Sequence, residues 1–268
     1  MSKLQEMVGA AKRDLEGRQA EVSIDQLEQM LDGRDDARPF REALTRPGLS
    51  VIAEFKRSSP TAGDIALGAV VQEQVSRYQT AGAAAVSILT DHSHFGGELD
   101  DLLEAHQSSD LPVLRKDFIF DSYQLFEAAA FGADAVLLIA AVLRGNSLGD
   151  LYREARILDL DCIVEVRDLE ELERALHLDA DIIGINNRDL DTLQIDVNKT
   201  FDLMRRIPTG KTIVSESGIE DPSQVARLKD AGVDAILVGH ALMHAPDPEA
   251  EMARLLGGDE HTSEHVFP

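Results

Sequence analysis

Hydrophobic and polar positions recur along this chain as a repeated unit. Four segments share one pattern: Ala81-Gly82-Ala83-Ala84-Ala85-Val86-Ser87-Ile88-Leu89, Phe131-Gly132-Ala133-Asp134-Ala135-Val136-Leu137-Leu138-Ile139, Leu178-Asp179-Ala180-Asp181-Ile182-Ile183-Gly184-Ile185-Asn186 and Ala231-Gly232-Val233-Asp234-Ala235-Ile236-Leu237-Val238-Gly239. Each reads as a helix end, a small or flexible residue, then a short continuous apolar run. Three of the four carry Gly where a helix C-cap calls for a left-handed residue. Runs that are apolar on both faces predict strands covered on both sides, as in a parallel sheet. Four more such runs lie between them, at 49–55, 112–116, 161–166 and 211–216.

Helical periodicity fills the gaps, and the spacing predicts helices over 71–81, 122–131, 147–158, 169–177, 200–207 and 223–231. Asp121, Asp168 and Asp221 supply N-caps, with Pro222 at a first helical position. Eight strand–helix units in roughly 210 residues predict a (β/α)8 barrel of the TIM type. A doubly wound open sheet is the alternative. It is disfavoured because neither G-x-G-x-x-G nor G-x-x-x-x-G-K-[ST] follows any strand. Residues 1–45 read as one or two amphipathic helices, too short to bury a core alone. They count with the barrel as a single domain over 1–256, and 257–268 reads as a frayed polar tail.

Composition agrees with one large core: 268 residues, 44% hydrophobic. No apolar run reaches the ~18 residues of a membrane span. The N-terminus opens on a charged amphipathic segment, so nothing suggests export. The one cysteine, Cys162, lies in an apolar run. A reducing, cytoplasmic setting is therefore expected. The formal charge of −23 combines 19 Arg with 7 Lys and 28 Asp with 21 Glu. Such a surface repels nucleic acid and anionic membranes, so neither is an expected partner. The excess of Asp and scarcity of Lys favour a halophilic adaptation over an ordinary acidic surface.

Candidate chemistry gathers at the strand ends, where barrels of this kind place it. The first strand runs into Ala53-Glu54-Phe55-Lys56-Arg57-Ser58-Ser59-Pro60. Side chains at i and i+2 share a face, so Glu54 and Lys56 enter one space. Lys116, Glu165, Asn186 and Glu216 end other strands. Charged residues end strands wherever solvent begins, but that reading does not account for two of seven lysines and three carboxylates at one mouth. Such a cluster shifts proton affinities and suits acid–base work. Ser217-Gly218 and Gly239-His240 put bare backbone in the two loops where barrels bind phosphate. His92 and His94 lack further ligands at a recognisable spacing, so no metal is expected. Cys162, three residues from Glu165, is expected to face the helix layer as inert core.

The segments Ile52–Pro60, Leu114-Arg115-Lys116-Asp117-Phe118-Ile119, Ile183-Gly184-Ile185-Asn186-Asn187-Arg188-Asp189-Leu190 and Val214-Ser215-Glu216-Ser217-Gly218-Ile219 resemble those of the indole-3-glycerol phosphate synthases. The resemblance runs to about Leu256 and omits the tail. It implies ring closure of 1-(2-carboxyphenylamino)-1-deoxyribulose 5-phosphate with loss of carbon dioxide and water, without a metal or other cofactor. It makes Lys116 the general acid and Glu165 the base or its partner in dehydration. Lys56 becomes a substrate and phosphate contact also implicated in acid catalysis, with Glu54 orienting the lysines. Asn186, Ser59 and Arg188 would hold the anthranilate part and its carboxylate. Phe95, Phe118, Leu137 and Leu190 would wall the ring, although ordinary barrel core explains them too. Glu216 and Ser217 would lie near the glycerol chain and phosphate, with Gly218, Gly239 and His240 completing the phosphate site. His240 departs from the small hydroxyl residue expected there. The N-terminal extension is expected to cover the substrate, and other enzymes of tryptophan synthesis are the candidate protein partners. Two alternatives stand beside this reading. A phosphoribosylanthranilate isomerase does not explain Lys56, Lys116 and Glu165 together. A non-catalytic scaffold predicts a lost catalytic side chain, and none is missing.

Overall fold

A computed structural model describes residues 2–189 and 191–257. Eight parallel strands close into a barrel, which excludes the open sheet. They are β1 (Ser50–Phe55), β2 (Ala85–Leu89), β3 (Val113–Lys116), β4 (Ala135–Ile139), β5 (Asp161–Val166), β6 (Ile182–Asn186), β7 (Thr212–Glu216) and β8 (Ala235–Val238). Each expected strand is present, and β1 pairs with both β2 and β8 to complete the circle. Alternation along the strands separates two shells. Ile52, Leu114, Leu137, Ile163, Ile182, Val214 and Leu237 pack inside the barrel. Val51, Val86, Val136, Cys162, Val164, Ile183 and Ile236 pack against the helices outside. This is why the strands read as unbroken apolar runs. Cys162 is buried in the outer shell, where burial holds its thiol protonated.

Local signals account for the helix ends. The side chains of Asp121, Asp168 and Asp221 accept hydrogen bonds from the backbone N–H groups of Tyr123, Glu171 and Ser223. The four repeated segments turn through left-handed residues: Gly82 at φ 84°, Gly132 at 82°, Gly232 at 88° and, in place of glycine, Asp179 at 60°. The expected helix over 200–207 lies instead at Asn198–Met204. Helices at Asp100–Ser108 and Pro248–Leu255 complete the outer layer. The loop after β1 carries a small antiparallel pair, Ser58–Ser59 with Gly63–Asp64.

The N-terminal extension forms three helices rather than one or two: α1 (Lys3–Glu21), α2 (Ile24–Leu31) and α3 (Phe40–Leu44). Leu4, Met7 and Ala11 of α1 join the inner apolar cluster together with Phe118 and Leu137. Thus α1 lies over the mouth. Leu27 of α2 packs with Tyr123 on the flank. The chain then passes under the barrel, where three arginines grip main-chain oxygens. Arg34 donates to Leu158 and Ala133, and Arg38 to Leu111 and His106, all at 2.9 Å; Arg41 reaches Gly210 at 2.7 Å. Phe40 and Leu44 of α3 are buried in the inner cluster with Ala85 and Ala235, closing the floor. The extension therefore runs from mouth to floor like a clasp. Among the described residues, no helix is long and apolar enough to cross a membrane.

Candidate active site

The strands deliver their terminal side chains into one cavity of about 400 Å³ at the barrel mouth. Glu54 and Lys56 enter it from β1 and the residue beyond, Lys116 from β3, Glu165 from β5, Asn186 from β6 and Glu216 from β7. Ser59, Phe95, Phe118, Leu137, Arg188, Ser217, Gly218, Gly239 and His240 line the same space. Every expected site residue but one is brought there. The exception, Leu190, lies outside the described residues, as do 258–268 of the expected tail.

Two lysine–carboxylate groups dominate the floor of the cavity. Lys56 Nζ donates to Glu54 Oε1 at 2.5 Å. Lys116 Nζ donates to Glu216 Oε2 at 2.8 Å and lies 3.6 Å from Glu165 Oε2. All three carboxylates are buried. Burial alone would lower the proton affinity of Lys116, but Glu216, then Glu165 and Glu54, outweigh it and raise the pKa above the ordinary lysine value. Lys116 therefore stays cationic. Burial pushes Glu216 up to about 7; Lys116 opposes the rise, and the nearby Glu165 and Glu54 reinforce it. Both partners hold protons tightly for a simple reason. Three carboxylates face two ammonium groups, and one added proton balances the set. The second oxygens of Glu165 and Glu216, each named Oε1, have no hydrogen-bond partner.

Around this centre the walls divide by chemistry. Phe95, Phe118, Leu89, Leu137, Ile139 and Met7 form an apolar side, Met7 being supplied by α1. On the other side Asn186 Oδ1 accepts from the Arg188 backbone N–H at 2.9 Å. Ser217 and Gly218 both adopt left-handed backbone, at φ 69° and 76°. A methyl group on Gly218 would collide with Ile195, so that turn requires glycine on two counts. His240 begins a five-residue helix and is exposed, its ring centroid 4.1 Å from that of His244. Partial burial, then His244, lower its pKa; Lys56 and Arg188 add to the effect and Glu220 opposes it. Its imidazole accordingly holds a proton less readily than an ordinary histidine.

Some functional geometry escaped sequence reasoning. Arg115 alternates outward from Lys116 and is fully buried. It donates to Asp117 Oδ2 at 2.8 Å, Glu127 Oε2 at 3.1 Å and the Gln124 carbonyl at 2.7 Å. Glu127 is held in turn by Arg18 of α1 at 2.6 Å. This chain of charges joins the mouth helix to the strand that bears Lys116. An arginine at the strand position that faces the apolar helix layer, next to Lys116, was its one visible signal. The two histidines considered for metal binding point to different carboxylates: His92 lies 2.6 Å from Glu98 and His94 3.2 Å from Asp91.

Comparison with known proteins agrees with this arrangement. The family model for indole-3-glycerol phosphate synthase matches residues 4–255. An indole-3-glycerol phosphate synthase of Syntrophobacter fumaroxidans is 43% identical over 249 residues, covering 92% of this chain and 94% of the relative. One from Kineococcus radiotolerans is 40% identical over 97% of each chain, and one from Albidiferax ferrireducens is 46% identical over 83% of this chain and 84% of the relative. Among solved structures, thiamine phosphate pyrophosphorylase from Pyrococcus furiosus superposes with a TM-score of 0.60 at 20% identity, over 80% of this chain and 95% of that one; this likeness concerns the barrel fold alone. With a model match across nearly the whole barrel and relatives similar along almost their full length, the chain belongs to the indole-3-glycerol phosphate synthase family, the lyases that act in tryptophan biosynthesis.

Proposed function

We propose that the residues gathered at the mouth carry out ring closure of 1-(2-carboxyphenylamino)-1-deoxyribulose 5-phosphate to indole-3-glycerol phosphate. One observation carries this reading: Lys116 Nζ is held between Glu216 at 2.8 Å and Glu165 at 3.6 Å, beside the Glu54–Lys56 pair in the same cavity. The aromatic carbon bearing the carboxylate attacks the C2′ carbonyl, forming the new carbon–carbon bond. Negative charge develops on the carbonyl oxygen, and Lys116, cationic and directed into the cavity, stabilises and protonates it. The bond to the carboxylate then breaks. Its electrons return to the ring and carbon dioxide leaves. In the last step Glu165 takes a proton from the carbon next to the ring nitrogen, and the C2′ hydroxyl leaves as water with a proton from the lysine–carboxylate cluster. Because a carboxylate departs as neutral carbon dioxide, each turnover takes up one proton from solvent.

The remaining roles follow from charge and shape. Asn186, Arg188 and Ser59 hold the anthranilate and its carboxylate. Phe95, Phe118 and Leu137 strip water from that carboxylate, which favours its loss. Lys56, Ser217, Gly218, Gly239 and His240 face the phosphate. The main-chain N–H groups of the two glycine loops and the Lys56 ammonium supply the main attraction, and His240 comes to the site with a lowered proton affinity. The test is to mix the protein with the anilino-deoxyribulose phosphate over a range of KCl concentrations and follow indole fluorescence. Growth of that signal is expected, and its absence at every salt concentration refutes the reading.

A further inference from the structure

Two glycines shape this site without a side chain of their own. Gly184 lies on β6 beside Glu165 of β5 and Val214 of β7. A methyl group on it would overlap Glu216 Oε1 and stand 2.7 Å from Ile163 Cγ2. Gly239, just after β8, repeats the arrangement. A methyl there would overlap Glu54 Oε1, with Glu54 Cδ and Lys56 Nζ each at 3.0 Å. Neither glycine has the positive φ that favours glycine. Gly184 sits in a regular strand, and Gly239 has φ −121°. What both provide is space. Glu216 grips Lys116 with Oε2 and lays its unpartnered Oε1 against Gly184. Glu54 grips Lys56 with the oxygen that lies over Gly239. Gly239 thus has a reason to be glycine that is separate from any phosphate contact.

We propose that Gly184 and Gly239 are positioning residues for the ring closure, each leaving a seat in which one carboxylate lies against bare main chain and aims its lysine into the cavity. The inference rests on the reading of Lys116 and Lys56 as the cations that meet the substrate. A methyl group in either seat must move the carboxylate by about an ångström, and misplacements of that size cost up to about 10²-fold in turnover.

The test uses the full chain with Gly184→Ala and Gly239→Ala. Each is expected to lower kcat by about 10- to 100-fold; KM stays within about threefold in Gly184→Ala, whereas in Gly239→Ala it rises as well, because Gly239 and Lys56 also face the phosphate. In Gly184→Ala the pH profile of kcat should also shift, because Glu216 moves relative to Lys116, Glu165 and Glu54, the charged groups that face it. Adding Glu216→Asp, shorter by one methylene, should restore part of the turnover lost in Gly184→Ala, although an aspartate there slows the parent enzyme. If Ile163→Leu restores turnover and Glu216→Asp does not, the overlap that matters is with Ile163 and the inference is overturned for Gly184. If Gly184→Ala does not fold, Gly239→Ala decides alone. Folded glycine variants with parental kcat and pH profile overturn the proposal, provided Lys116→Ala is inactive. Near-normal turnover in Lys116→Ala instead overturns the underlying reading of the lysine.

Discussion

Replacing Glu216 by Gln should stabilise the fold as it slows the chemistry. The magnitude follows from the raised proton affinity of this fully buried carboxyl, from an ordinary 4.5 to about 7. A carboxyl with a raised folded-state pKa loses stability as pH climbs from its unfolded pKa to its folded one. At about 1.4 kcal/mol per pKa unit, the full cost above pH 7 is about 3 kcal/mol. Roughly 2 kcal/mol of this accrues between pH 5.5 and 8.5. In the parent, Lys116 adds no pH dependence of its own across this range. Its pKa is raised as well, so its contribution is complete below its unfolded value near 10.5 and constant across this window. Glutamine imitates the protonated acid, and Glu165 at 3.6 Å remains to face Lys116. The assay is thermal unfolding of both proteins across that pH range. For a chain of this length about 2–4 °C corresponds to each kcal/mol, so the advantage of Glu216→Gln should widen by about 4–8 °C as pH rises. A gap that does not change with pH, or a variant less stable than the parent at pH 8.5, would refute the reasoning.

Other consequences are open to similar measurement. His240→Ser should leave KM within about twofold of the parent between pH 7 and 8, since burial and His244 hold the proton affinity of the ring down. A tenfold rise in parental KM from pH 6 to 8, abolished by the serine, would instead make His240 a charged phosphate ligand. Arg115→Met should cost about 3–5 kcal/mol in urea unfolding, because it leaves Asp117 and Glu127 buried without this partner; a loss under 1 kcal/mol would contradict that. If the charge of −23 is an adaptation to salt, the melting temperature climbs steeply with molar KCl, whereas a flat response rejects it.

The barrel was legible because its signals are local. Continuous apolar runs mark strands buried on both faces, and Asp121, Asp168 and Asp221 cap the helices they were expected to cap. The site was legible once the strand ends were placed together. Glu54 and Lys56 share a face through their spacing, and topology supplies Lys116, Glu165 and Glu216. What could not be read depends on contacts distant in sequence. Nothing near Arg115 announces Glu127 and Arg18, and nothing near Gly184 announces the Glu216 carboxylate. The extension looked like one or two helices although the Ser23–Gln26 capping box and the left-handed Gly33 mark its breaks locally; its path around the barrel is what distant contacts set. Arg34, Arg38 and Arg41 find their partners only on the finished floor.

That clasp also sets an order of events during synthesis. Its residues leave the ribosome before the barrel strands, and Arg41 binds Thr212 and Gly210, which follow it by 171 and 169 positions. At about 5–20 residues per second, those partners emerge about 10–30 s later. Until then the floor helix has no completed surface to close, and Phe40 and Leu44 wait exposed. The clasp is therefore a late latch. A chain that ends before Gly210 lacks the Thr212 and Gly210 partners of Arg41, so its floor cannot be latched.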